Sequence, residues 1–170
     1  WGMSSKKRRE EIINLLININ GPIKGTELAE LFRVTRQIIV KDIAILRAEG
    51  RNIIATPEGY IYNKDINKIK SIIAVNHDSS KTIEELEIVV KYGGIIEDVI
   101  IEHPLYGEIR GNLMIKNLND LYKFESKFKN KNVKPLSDLT QGIHLHTIAA
   151  DTQEDIESII RELEEKGFLL

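Results

Sequence analysis

Apolar and polar positions along the chain fall into two blocks with different rhythms. In the first block, Ile12, Ile13, Leu15, Leu16 and Ile19 recur at helical spacing, which predicts an amphipathic helix over 5–18. It opens on the basic run Lys6-Lys7-Arg8-Arg9 and stops at Asn20-Gly21-Pro22. Thr26 is placed to cap a short second helix carrying Leu28, Ala29, Leu31 and Phe32. After a turn through Arg33-Val34-Thr35, Thr35 suits the N-cap of a third helix over 35–49. Its inward positions are Ile38, Ile39, Ile43 and Leu46, and it ends at Glu49-Gly50. Two short apolar runs, 52–55 and 60–62, flank Thr56-Pro57-Glu58-Gly59 and read as a β-hairpin.

From residue 66 the rhythm changes to strands alternating with helices. Residues 66–70 bridge, and 71–75 is a short apolar strand. Helical spacing returns over 82–92 with Ile83, Leu86, Val89 and Val90 on one face. Segments 95–101 and 109–115 read as strands on either side of His103-Pro104-Leu105-Tyr106-Gly107. A helix over 118–129, a strand over 143–149 and a helix over 151–166 follow, with 168–170 as one more strand. The pattern predicts an α+β protein: a winged helix-turn-helix over 3–63, then a small α/β sandwich, ferredoxin-like or similar, over 68–170.

Composition narrows the setting. Of 170 residues, 42% are hydrophobic and 29% charged, as in ordinary globular proteins. No apolar stretch reaches the roughly 18–20 residues that cross a bilayer, so no membrane role is expected. The start, through Ser5, lacks the apolar core of a signal peptide, and Trp1-Gly2 are left out of the fold reading. With no cysteine, thiolate metal sites are excluded, and nitrogen and oxygen must hold any metal. These features predict a cytoplasmic protein. The net charge of -2 is split unevenly. Residues 1–65 carry 11 Lys/Arg against 8 Asp/Glu, while the rest carry 13 against 18. A basic head and an acidic body suggest that the head meets a polyanion.

The third helix is the candidate reading helix, because the second helix of a helix-turn-helix enters the major groove. Thr35, Arg36, Gln37 and Lys41 can all reach outward from it. Arg pairs with guanine and Gln with adenine in bidentate fashion, while Lys and Thr suit bases or phosphates. Arg8 and Arg51 would then meet backbone phosphates. The plainer alternative is a three-helix packing module whose polar face is merely solvated. Against it, TELAELFRVTRQIIVKDIAILRAEG followed by RNIIATPEGYIY resembles the winged helix-turn-helix of many bacterial repressors and of biotin-ligase repressors.

All four histidines fall in the second block: His77, His103, His144 and His146. On a strand, His144 and His146 project from one face while Ile143 and Leu145 project from the other. Two adjacent imidazoles resist double protonation and are placed to share a divalent ion. His77 ends the first strand, and Glu85 lies in the first turn of the next helix. Three histidines and a carboxylate suit one divalent transition metal per chain: zinc, nickel, iron or manganese. Each ligand also has a plain explanation. The histidine pair can be solvent-facing, Thr82-Ile83-Glu84-Glu85 reads as a capping box, and Glu84 or Glu87 can replace Glu85 as ligand.

A winged helix-turn-helix followed by Asn76-His77-Asp78, His103-Pro104-Leu105-Tyr106-Gly107 and Gly142-Ile143-His144-Leu145-His146-Thr147 resembles the niacin-responsive repressors of the NiaR type, with their three-histidine (3H) domain. The resemblance spans essentially the whole chain from Met3. It implies metal ligands at His77, Glu85, His144 and His146. It also implies repression of genes for NAD synthesis and niacin uptake, with nicotinic acid as co-repressor. His103, Tyr106 and Arg110 are the candidate effector residues, Arg110 through a pairing with the nicotinate carboxylate. Arg110 can equally be a surface residue balancing Glu108. The expected partner is double-stranded operator DNA, bound by a homodimer whose head spacing responds to effector. A metal-dependent hydrolase fused to a DNA-binding head is the main rival, but no nucleophile or general-base motif accompanies the ligands. A biotin-ligase repressor is disfavoured because the remaining 105 or so residues are too few and contain no Gly-Arg-Gly-type adenylate loop.

Overall fold

In the computed structural model, residues 2–130 and 133–170 are described. Two compact units emerge, one ending at Ile66 and one spanning Asn67–Leu170. Among the described residues no helix is long and apolar enough to cross a membrane.

The first unit contains α1 (Ser5–Asn18), α2 (Gly25–Phe32), α3 (Arg36–Ala48), β1 (Ile53–Thr56) and β2 (Gly59–Tyr62). Ser4 and Thr35 cap α1 and α3, each side chain accepting a backbone N–H three residues on. α2 starts differently from the sequence expectation. Its N-cap position is Lys24, Thr26 lies inside the helix, and Glu27 accepts from the Lys24 amide. Ile12, Leu16, Leu28, Ile39, Ile43, Leu46 and Ile53 form the core. Of the apolar residues that α2 carries, Leu28 and Ala29 are buried while Leu31 is 59% exposed. The wing is tied to the helices by paired backbone bonds between Ile23 and Tyr60, of 3.0 and 2.8 Å. That close pass explains Gly59, where a Cβ would lie 2.5 Å from the Ile23 carbonyl oxygen and φ is +132°.

The second unit runs β3 (Ile69–Asn76), α4 (Thr82–Lys91), β4 (Ile95–His103), β5 (Gly107–Ile115), α5 (Leu118–Asn130), β6 (Ile143–Ala150) and α6 (Gln153–Glu165). The element order is the ferredoxin-like one. The strand order, β3-β6-β4-β5 with every neighbouring pair antiparallel, differs. In a ferredoxin-like sheet, the second strand of the central hairpin would separate β3 from β4; here β6 does so. The expected strand over 168–170 is a single bridge from Leu169 to Val75 on the outer edge of β3.

One sheet face carries the core. Ile73 lies opposite His146, Val75 opposite His144, and Ile96 is opposite both Ile148 and Ile115, so these side chains share a face. Leu86 and Val89 of α4, Leu121 of α5, and Ile156, Ile159 and Leu163 of α6 pack on that face. On the other face Ile72 and Ile143 are exposed. Strand β4 breaks its alternation near Glu97. Its pairing slips between Ile96 and Asp98 against β5, and between Ile96 and Ile100 against β6. Ile100 then lies opposite Leu145 rather than a histidine.

Candidate metal centre and DNA-reading face

His77, just past the end of β3, and His144 and His146 near the start of β6 project from the helix-covered face, where α4 delivers Glu85. All four are buried, Glu85 completely. Ligand atoms of His77, Glu85 and His144 lie within 4.8 Å of one another, and His146 Nε2 is 2.8 Å from Glu85 Oε1. The ring centroids of His144 are 4.9 Å from those of His77 and 4.7 Å from those of His146. The histidine pair is therefore not solvent-facing. Nor is Glu85 a capping residue. Thr82 already has helical backbone, and the chain enters α4 through a 3-10 turn capped by Asp78, which accepts from the Ser80 amide. Glu84 and Glu87, the alternative ligands, are exposed.

The three imidazoles are oriented alike. Nδ1 of His77 bonds the Asp78 carbonyl at 2.7 Å, Nδ1 of His144 the Gly142 carbonyl at 2.8 Å, and Nδ1 of His146 the Asp98 carbonyl at 2.6 Å. A carbonyl only accepts, so each Nδ1 carries the proton and each Nε2 is turned toward Glu85. His77 Nε2 contacts Glu85 Oε2 directly, and His144 Nε2 lies 3.5 Å from the same oxygen. Glu85 Oε1 is buried without a hydrogen-bond partner, although His146 Nε2 lies 2.8 Å away. With neutral rings, three lone pairs would face a carboxylate. Such an arrangement requires positive charge among these atoms, supplied either by protons or by a cation.

Titration follows from this geometry. Burial pushes the His146 and His77 imidazoles down, but the Glu85 carboxylate outweighs it and leaves both above their ordinary value of 6.5. Burial pushes Glu85 up, yet the surrounding imidazoles hold it far below the ordinary carboxylate range. Three imidazole nitrogens and one carboxylate oxygen form the N/O donor set of first-row divalent metals, and the orphaned Glu85 oxygen fits a cation at their centre.

Gly142 supports two of these ligands. Its carbonyl holds His144, and it passes so close to the His77 peptide that a Cβ would lie 2.6 Å from the His77 oxygen. With φ at +92°, the position favours glycine independently of the contact.

The expected effector residues separate. His103 sits at the end of β4, three residues beyond Ile100, and alternation puts it on the histidine face. Its Nδ1 accepts from the Leu105 and Tyr106 amides, and its ring lies 5.1 Å from that of the exposed Tyr106. Arg110 does not join them. It is opposite Ile100, which is opposite Leu145, so it lies on the face away from the three histidines. Its guanidinium pairs there with buried Asp98 at 2.5 Å, not with Glu108. This corrects its placement in the effector pocket.

In the first unit Thr35, Arg36, Gln37 and Lys41 are exposed along the start of α3, and Arg51 is exposed before the wing. The Thr35 hydroxyl also caps α3. Arg8 is a correction. It is buried, and its Nε pairs with Asp42 of α3 at 2.6 Å, so it ties helices together instead of facing a phosphate. Arg9 adds a 3.4 Å contact to the same carboxylate. Arg33 stands exposed in the turn expected through Arg33-Val34-Thr35, with φ at +54°.

Comparison with known proteins matches residues 70–170 to the 3H domain family and residues 8–61 to a helix-turn-helix (HTH) domain family. The chain is 43% identical over 165 residues to the probable transcription repressor NiaR of Thermotoga maritima, covering 97% of this chain and 94% of that one. It is 36% identical over 167 residues to the transcription repressor NadR of Bacillus subtilis, covering 96% and 93%. The crystal structure of Thermotoga maritima IclR aligns over 96% of this chain and 95% of its own, at 12% identity and a TM-score of 0.32.

Proposed function

Because the chain belongs to the 3H-domain family of NiaR-type transcription repressors, we propose that it binds operator DNA as a homodimer and answers to nicotinic acid through a metal centre. The genes it silences serve NAD synthesis and niacin uptake, and it works in the cytoplasm. The two relatives described above are named as repressors and not as enzymes, which weighs against the hydrolase reading.

The observation that carries the proposal is the convergence of three Nε2 atoms on a buried carboxylate that lacks a full set of donors. His77, Glu85, His144 and His146 would hold one divalent transition metal, and their Nδ1 bonds to backbone carbonyls keep the rings in the ligating tautomer. When bound, the metal offers a Lewis-acid position to the carboxylate or pyridine nitrogen of nicotinic acid. With Arg110 on the other face, His103 is the remaining candidate on the ligand side, with the Tyr106 ring tilted against it at 5.1 Å. Effector binding favours one spacing of the two heads, a preference of about 1–3 kcal/mol being sufficient.

Fluorescence anisotropy with a palindromic operator fragment, with and without nicotinic acid, tests the reading alongside elemental analysis. Operator affinity should rise roughly 5–150-fold with nicotinic acid. The purified protein should carry stoichiometric metal, which the double substitution His144→Ala, His146→Ala removes. Unchanged operator affinity would end the effector reading, and metal retained by the double variant would end the site.

A further inference from the structure

We propose that Asp98 is the positioning residue for His146, held in that role by Arg110 from the opposite face of the sheet. The inference rests on the reading of His146 as a metal ligand. Asp98 stands in the apolar run Ile95-Ile96-Glu97-Asp98-Val99-Ile100-Ile101, and its side chain is only 4% exposed. A carboxylate so placed is costly unless its oxygens are engaged. Each oxygen of the residue has a distinct partner. The backbone carbonyl accepts the His146 Nδ1 proton at 2.6 Å, Oδ1 accepts from the Thr147 amide at 2.8 Å, and Oδ2 pairs with Arg110 Nη1 at 2.5 Å.

The place in the sheet explains why these contacts occur together. The β4–β6 pairing slips between Ile96 and Ile100, and Thr147 faces that interval. The Asp98 carboxylate takes the Thr147 amide where the regular ladder is interrupted. The same residue therefore clamps β6 one position after His146 and presents the carbonyl that fixes the His146 ring. Arg110 supplies the opposite charge that engages the buried carboxylate from the other face of the sheet. Pinned in this way, the His146 proton stays on Nδ1, and Nε2 keeps its lone pair toward Glu85. Arg110 thus acts on the centre through Asp98 and His146, without touching a ligand in the histidine cluster.

The test uses the full chain, with zinc(II) as the probe metal in competition with a chromophoric chelator. Asp98→Ala should lose about 10–100-fold in zinc affinity. Asp98→Asn keeps an oxygen for the Thr147 amide and should recover most of it, and Arg110→Met should fall between the two. In the metal-free protein, NMR should show the His146 Nδ1 proton exchanging faster in Asp98→Ala while those of His77 and His144 keep their protection. A merely structural role would lower protection at all three rings together, and that result overturns the proposal. So does wild-type zinc affinity in Asp98→Ala. Should that variant fail to fold, wild-type affinity in both Asp98→Asn and Arg110→Met overturns it equally. If the wild-type protein bound no zinc, the metal reading would fall by itself, while the proton-exchange comparison would still decide the part played by Asp98.

Discussion

Arg8 and Asp42 form a buried ion pair that joins α1 to α3, with 2.6 Å between Nε and Oδ2 and only 2% of the Asp42 side chain exposed. Removing Arg8 leaves the buried Asp42 carboxylate with only the 3.4 Å contact of Arg9, a loss of up to about 3–5 kcal/mol in comparable pairs. Arg8→Ala should therefore unfold the head at much lower urea, read by circular dichroism. Were Arg8 a phosphate contact, the same variant would keep its urea midpoint and show a shallower salt dependence of DNA binding.

Arg36 and Arg51 are expected to act on DNA in different ways. Arg36 is exposed at the first turn of α3, the end of a reading helix that meets base edges. Arg36→Ala should cost about 1–3 kcal/mol of operator binding and little binding to random DNA. Arg51→Ala should weaken both alike and reduce the slope of log affinity against log salt by about 1. Anisotropy titrations at several salt concentrations separate the two patterns.

Gly142→Ala should disturb the centre without touching a ligand side chain. Its new Cβ would meet the His77 carbonyl at 2.6 Å, in a backbone conformation with φ at +92° that alanine adopts at a cost of about 1–3 kcal/mol. Either His77 shifts away from Glu85 or the Gly142 carbonyl releases His144. The expected outcome is a lower melting temperature together with weakened zinc binding. A stable variant with unaltered zinc affinity would show that the Gly142 contact does not set the ligand positions.

The elements were legible in the sequence wherever apolar spacing is local. The bounds of α1 and the Thr35 cap follow from residues within one or two turns of each other. The fold class was legible for the same reason, and so was the shared face of His144 and His146, which alternation alone dictates. What was not legible depends on distant partners. Nothing in Lys6-Lys7-Arg8-Arg9 marks Arg8 as the member that turns inward to Asp42. Strand order depends on which strands pair across the sheet, so the insertion of β6 between β3 and β4 left no local trace. The irregularity in β4 reverses the faces of its second half relative to the three histidines, and the hairpin register then puts His103 on their face and Arg110 on the other. The one available signal for Asp98 was a carboxylate inside an apolar strand.

The histidine cluster should give the metal-free and metal-loaded protein opposite responses to pH. His146 and His77 titrate above 6.5 when folded, because Glu85 outweighs their burial. Their stabilisation is complete below the unfolded value of about 6.5 and disappears as pH rises through the folded values. Glu85, held below 4.5, contributes above that value and loses its contribution as pH falls toward its folded one. The metal-free cluster is thus most stabilising between about 4.5 and 6.5 and weakens toward pH 8. Metal binding needs Nε2 unprotonated, so the gain in melting temperature from added zinc should grow over the same rise. Thermal shift between about pH 5 and pH 8, with and without zinc, reads both trends. Glu85→Gln removes the partner of both imidazoles and should flatten the metal-free trend. A zinc-induced gain that stays constant across this range would mean that the ion is held somewhere other than on these imidazoles.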